Sequence, residues 1–238
     1  MNPKEPLRAV NRTARTAGAL YLVMFVVSMF CAVFFTKGLV VPGDAAATAA
    51  QIGASAGLFR LGIAGNLFVQ VIHIFLVIVL YRLLRPVNPR TAMFLAVLGL
   101  VSVPIAMLNE TNQFAALILS GGETYAAVLG AGQLNAIMGL FLELHEYGIL
   151  IAQIFWGLWL FPLGYLICKS GYIPKVLGFL LIIGGAGYVI DAVMVFLFPG
   201  IDIAISMFTF WGEVLLPLWF LIKGVNAERW EKSVPDPA

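Results

Sequence analysis

The chain has 238 residues, 61% of them hydrophobic and only 11% charged, with a mean hydropathy of +0.98. Soluble domains carry about 45–50% apolar and about 25% charged residues, so this composition excludes a water-soluble domain and leaves a single membrane-embedded module. The net charge of +2 is too small to imply a nucleic-acid partner.

Inside a bilayer every backbone N–H and C=O must be satisfied within the segment, so long apolar runs read as helices of about 20 residues. Six such runs occur, at residues 17–35, 58–81, 92–119, 148–168, 176–198 and 203–222. The breaks between them hold turn-forming residues: Pro42, Gly43 and Asp44, then Pro86, Asn88 and Pro89, Gly121 and Gly122, Ser170 and Gly171, and Pro199 and Gly200. The continuous runs exclude an outer-membrane barrel, whose strands alternate. The expected fold is all-α: a polytopic bundle of six transmembrane helices over residues 17–224, with a cytoplasmic segment at 1–16 and a cytoplasmic tail at 225–238.

Lys and Arg placement sets the orientation. Lys4, Arg8, Arg12 and Arg15 precede the first run, Arg82, Arg85 and Arg90 follow the second, Lys169 and Lys175 follow the fourth, and Lys223, Arg229 and Lys232 follow the sixth. The alternate loops offer Lys37 beside acidic Asp44, Glu123 and Asp202, so both termini are expected in the cytoplasm. The first run is too long for a signal-peptide core and no small-x-small site follows it, which reads as a retained anchor. A lipoprotein signal would need a small residue before Cys31, where Phe30 stands. Cys31 and Cys168 fall toward opposite membrane faces, too far apart for a bridge, and read as packing residues.

Polar residues inside apolar spans are costly and mark functional sites by default. The second run carries Arg60, Asn66, Gln70 and His73, and the third carries Asn109, Glu110, Asn112 and Gln113. Glu143, His145, Glu146 and Gln153 mark the fourth, Asp191 the fifth and Glu213 the sixth. Most of these fall on the extracytoplasmic side of the expected arrangement. Residues three, four and seven apart share a helix face, which aligns four stripes. They are Asn66–Gln70–His73, Ser102–Ala106–Asn109–Gln113, Gly184–Gly187–Asp191 and Ser206–Thr209–Glu213. Their convergence predicts one outward-opening polar pocket. A helix is expected without break from 133 to 169, about 55 Å long against a hydrocarbon core of about 30 Å.

Several motifs admit a plainer reading. His145 and Glu146 begin a zinc-protease pattern, but Ile149 stands where its second His belongs. With two histidines in the chain, a zinc site would need His73, His145 and a carboxylate from separate helices, and a bis-histidine haem would need the same two at one depth. No metal or cofactor is expected. Glu143 and Glu146 form either a carboxylate pair or a solvated rim. Arg60 either snorkels to headgroups or pairs with Glu110 or Asp191. Asn66, Gln70, Asn109 and Gln113 serve as interhelical glue or as ligands. Gly184, Gly185 and Gly187, inside an apolar run, read as close helix packing, and Asp44 as the N-cap of a short helix at 45–53.

The chain also resembles a group of bacterial six-helix membrane proteins defined as a domain of unknown function, number four-three-eight-six. The resemblance covers residues 40–199. It rests on Val41, Pro42, Gly43, Asp44 and Ala45, on Leu58, Phe59, Arg60, Leu61 and Gly62, on residues 80–88 (LYRLLRPVN), on His145, Glu146, Tyr147 and Gly148, on Gly164, Tyr165 and Leu166, and on residues 170–178 (SGYIPKVLG). It implies the architecture and no chemistry, and favours Asp44, Arg60, His145 and Asp191 as site positions. Family members carry an Arg early in the third helix, where this chain has Leu98, Gly99 and Leu100.

The reading that follows is a bacterial inner-membrane protein that binds or transports a small polar or amphiphilic ligand, with Arg60, His73, Asn109, Glu110, Gln113, Asp191 and Glu213 lining the site. The alternatives are a structural or sensory membrane partner, and an intramembrane enzyme acting on lipid headgroups with His145, Glu146 or Glu143 as general base and Arg60 as anion clamp. The expected partners are the bilayer, a small-molecule or lipid ligand, and a further copy of the chain.

Overall fold

The computed structural model describes residues 4–36, 38–121, 123–198, 200 and 204–233, and among them every element is helical. These are α1 (Lys4–Phe30), α2 (Ala45–Ala54), α3 (Ala56–Leu84), α4 (Pro89–Ser120), α5 (Glu123–Leu129), α6 (Ala131–Ser170), α7 (Lys175–Leu197), α8 (Ser206–Thr209), α9 (Trp211–Ile222) and α10 (Ala227–Glu231). A wider π-helical stretch, Cys31–Thr36, continues α1. Lys37, Gly122, Pro199, Asp202 and Ile203 lie outside the described residues, as do the side chains of Lys4 and Glu123.

Five helices are long and apolar enough to cross a membrane: Arg8–Phe35, Ala56–Leu84, Pro89–Ser120, Ala131–Ser170 and Lys175–Leu197. At residues 203–222, read as the sixth run, α8 and α9 give the shorter apolar segment Ser206–Ile222. The cause is local: Asp191 accepts hydrogen bonds from the amides of Ile205 and Ser206, which fixes the helix start there. The helix anticipated from 133 to 169 forms as the 40-residue α6 and contains Pro162. Large apolar side chains lie on the surface, with Phe94, Leu108, Phe208 and Ile222 between 65% and 77% exposed, as a lipid solvent requires.

The chain divides into two compact units, and α1, α3, α4 and α6 each contribute a segment to both. The first unit comprises Met1–Val23, Ile72–Val103 and Ile151–Ala238. Asn88 starts α4 there by accepting from the Thr91 amide at 3.0 Å, with Pro89 at the first helical position, where a missing N–H costs nothing. Helices α6 and α7 run antiparallel and touch backbone to backbone. Gly157 faces Gly185 and Gly164 faces Gly178, and a Cβ on any of the four would lie 2.5 to 2.8 Å from the opposing carbonyl oxygen. Gly184 and Gly187 give α7 the same close approach to Thr209 and Ser206, so this glycine cluster is a packing seam. Helices α1 and α9 are also antiparallel, joined by Asn11 to the Val225 amide at 2.9 Å, by Gly18 against Pro217, and by Tyr21 to Glu213. Trp230 of the tail is tied down by its Nε1, which donates to the carbonyl of Leu83 at 3.0 Å, where the Tyr172 hydroxyl also donates at 2.8 Å. Burial pushes the Tyr172 phenol up, which keeps it a neutral donor.

The second unit comprises Met24–Val71 and Pro104–Leu150. Asp44 caps α2 by accepting from the Ala47 amide at 2.8 Å, as its place before an Ala-rich run predicts. Ile52 of α2 then joins Phe59, Ile63, Ala116 and Met138 in an apolar core.

Candidate functional site

On the α4 segment of the second unit, Asn109, Glu110 and Gln113 stand three and four residues apart and so share one flank of the helix. All three are buried, and His145 of α6 is buried with them. His145 Nε2 lies 3.3 Å from Glu110 Oε1 and 2.9 Å from Gln113 Nε2, and Asn109 Nδ2 donates to the His145 carbonyl at 2.8 Å. Asn112 Nδ2 in turn donates to Asn109 Oδ1 at 2.9 Å. Gly148, one turn beyond His145, makes this reach possible, because a Cβ there would fall on the Asn109 side chain.

The cluster carries two features that packing alone does not require. One is that a carboxylate and an imidazole lie against each other across two helices, with Gln113 beside them able to present its amide oxygen or its NH2 group to the ring. The other feature is that Glu110 Oε2 is buried, with no hydrogen-bond partner among the described residues. Gln70 Oε1, in the same unit, is likewise buried and unpartnered. A buried acceptor without a donor costs about 1–3 kcal/mol, more for a charged group.

The polar groups of the first unit are arranged differently. Tyr21 and Tyr188 donate to the two oxygens of Glu213, at 2.7 and 2.6 Å. Asp191 spends both oxygens on the amides of Ile205 and Ser206, at 2.7 and 2.9 Å. His73 is buried with its ring centroid 5.0 Å from that of Trp159, and its Nε2 has no hydrogen-bond partner among the described residues.

Of the ligand-lining set read from the sequence, Asn109, Glu110 and Gln113 therefore meet around His145, while His73, Asp191 and Glu213 belong to the other unit. Arg60 is exposed, and its pairing with Glu110 does not form. Glu110 instead lies within hydrogen-bond distance of His145. Glu143 and Glu146 are exposed. At about 100° per residue they point some 200° and 100° round α6 from His145, so the rotation that buries the imidazole turns both carboxylates outward. Cys31 and Cys168 are free thiols. No group of three His, Cys, Asp or Glu side chains able to hold a metal occurs among the described residues. The sequence reading passed over Tyr21, Tyr188 and Trp159. A signal existed for Tyr188, which stands four residues after Gly184, beside the stripe that ends at Asp191.

Comparison with known proteins gives a consistent outcome. A family model described as "Domain of unknown function (DUF4386)" matches residues 16–224. An uncharacterized protein of Archaeoglobus fulgidus is 34% identical over 167 residues, covering 68% of this chain and 83% of that protein. No solved structure matches.

Proposed function

We propose, on the premise that this chain belongs to the DUF4386 family, that it is a multi-pass membrane protein whose Glu110–Gln113–His145 cluster receives the hydrogen-bond-donating head of a small polar or amphiphilic ligand, for binding or transport. The observation that carries this reading is Glu110 Oε2, an acceptor buried inside the protein and left without a donor. A cationic or neutral N–H or O–H group on a ligand supplies the missing donor.

The reading includes six crossings of a bacterial inner membrane with both termini in the cytoplasm. The bond from Asn11 to the Val225 amide supports it, since it ties the start of α1 to the end of α9 and an even number of crossings is then needed. At about 1.5 Å per residue, Ser206–Ile222 spans about 25 Å, close to the hydrocarbon thickness.

The test is a thermal-shift screen of small amines, amino alcohols and amphiphilic cations against the detergent-purified chain. A compound is expected to raise the melting temperature of the wild type and to leave Glu110→Gln unmoved. If every compound acts equally on both proteins, the reading fails.

A structural or sensory role is the second reading. It is favoured by Asp191 and Glu213, whose four carboxylate oxygens are all taken by internal donors. On that reading the polar groups of the first unit hold helices together and bind nothing.

A further inference from the structure

Apart from the carboxylate clusters, the first unit carries an open groove of about 880 Å³ between the beginning of α1 and the end of α9. Arg8, Arg12 and Arg15 line it, together with Lys223. The three arginines recur at spacings of four and three, which sets them on one face of α1. None of these four cations makes an ion pair among the described residues, and no acidic side chain lines the groove.

The walls are fixed before anything binds. Asn11 Oδ1 accepts from the Val225 amide, and Gly224 beside it takes a positive φ of 67°. A Cβ at Gly224 would be strained there and would also strike the Asn11 side chain. One helical turn or two along, Gly18 lets α1 close onto Pro217 and Phe220. The helix segments that carry the cations are thus held beside a space with an apolar wall contributed by Ala19 and Leu221. A charged ring on an apolar wall, at the end of a membrane-crossing helix, fits a group that is anionic at its head and apolar below it.

We propose that this groove binds the phosphate head of an anionic phospholipid. The phosphodiester meets the arginine fork donors and the Lys223 ammonium, and the glycerol and upper acyl carbons lie along Leu221 and Ala19. Positively charged residues at the cytoplasmic ends of membrane helices are general. The arrangement here differs in that four cations, three on α1 and one just past α9, line one groove with no ion-pair partner among the described residues.

The experiment uses the full chain in an uncharged detergent and counts bound lipid by native mass spectrometry. Phosphatidylglycerol is expected to bind in preference to phosphatidylcholine, and inorganic phosphate at equal concentration should not displace it. The combined Arg8→Gln, Arg12→Gln, Arg15→Gln variant is expected to bind phosphatidylglycerol on the order of 100-fold more weakly, about fivefold for each cation removed. Removing the same charge elsewhere, by Arg82→Gln, Arg85→Gln, Arg90→Gln, is expected to leave binding unchanged. Should the triple groove variant fail to insert, Lys223→Gln alone is expected to weaken binding about fivefold. Equal loss in the two triple variants, an unaffected Lys223→Gln, or equal binding of the two lipids overturns the proposal. Displacement by inorganic phosphate overturns it in favour of a free-anion site.

Discussion

Glu110 and Glu213 are both carboxylates set in apolar helices, one in each compact unit, and they differ in what their oxygens touch. Each oxygen of Glu213 receives a tyrosine hydroxyl within 2.7 Å. Glu110 has His145 at 3.3 Å on one oxygen and no hydrogen-bond partner among the described residues on the other. The desolvation cost of a buried carboxylate is similar wherever it lies, so the partners decide its role. A carboxylate with both oxygens engaged is a strut. One that keeps an oxygen in reserve is bearing a cost that folding alone would remove. The comparison teaches that ionisable groups inside a bilayer should be sorted by satisfaction as well as by presence.

The largest expected effect tests the strut. Glu213→Leu leaves the Tyr21 and Tyr188 hydroxyls without their acceptor and should destabilise the protein by about 2–3 kcal/mol, read from unfolding in detergent. Adding Tyr21→Phe and Tyr188→Phe to that variant should recover most of the loss, because deleting all the partners of a network is far less costly than deleting one. A triple variant no more stable than Glu213→Leu would mean that shape, and not hydrogen bonding, holds α1, α7 and α9 at this point.

Next comes the cluster's geometry. In Gly148→Ala the added methyl collides with Asn109 and must push it off the His145 carbonyl, at about 1–2 kcal/mol. A melting temperature equal to the wild type would show that Asn109 has room to move, and that His145 is less tightly held than its contacts imply. Asp191→Asn is expected to cost about 1 kcal/mol, since an amide has one acceptor for the two backbone N–H groups at Ile205 and Ser206. It should leave ligand response untouched, which separates a helix cap from a site.

How much of this was legible follows from period and chemistry. Helical spacing put Ser102, Ala106, Asn109 and Gln113 on one face, and all four are buried. Spacing also put Gly184, Gly187 and Asp191 together, and they form one side of the α7 seam. Spacing fixes a face but not a partner, so the meeting of Glu110 with His145, 35 residues away, could be anticipated only as one convergence among several. Glu143 and Glu146 were left open between a carboxylate pair and a solvated rim, and both are exposed, because their angle around α6 turns them away from the buried His145. Tyr21 and Tyr188 escaped notice for another reason: in a membrane sequence a tyrosine reads as an apolar ring, and its hydroxyl counts only once a carboxylate is seen to need it. The short sixth apolar helix was over-extended because its start is set by Asp191, a residue of the preceding helix.

The smallest expected effect bears most directly on function. In Glu110→Gln the side-chain oxygen can keep the contact with His145 Nε2, while the NH2 group takes the position of Oε2, where no partner stands. One unsatisfied acceptor is exchanged for one unsatisfied donor in a side chain of nearly the same shape, so the unfolding free energy should move by less than about 1 kcal/mol, well under the loss in Glu213→Leu. Ligand response should nevertheless vanish, because a group that donates to Oε2 meets a second donor in its place. If Glu110→Gln instead unfolds as readily as Glu213→Leu, then Oε2 is as fully engaged as the oxygens of Glu213. The contrast between the two carboxylates would then disappear, and with it the reason for assigning the ligand site to the second unit.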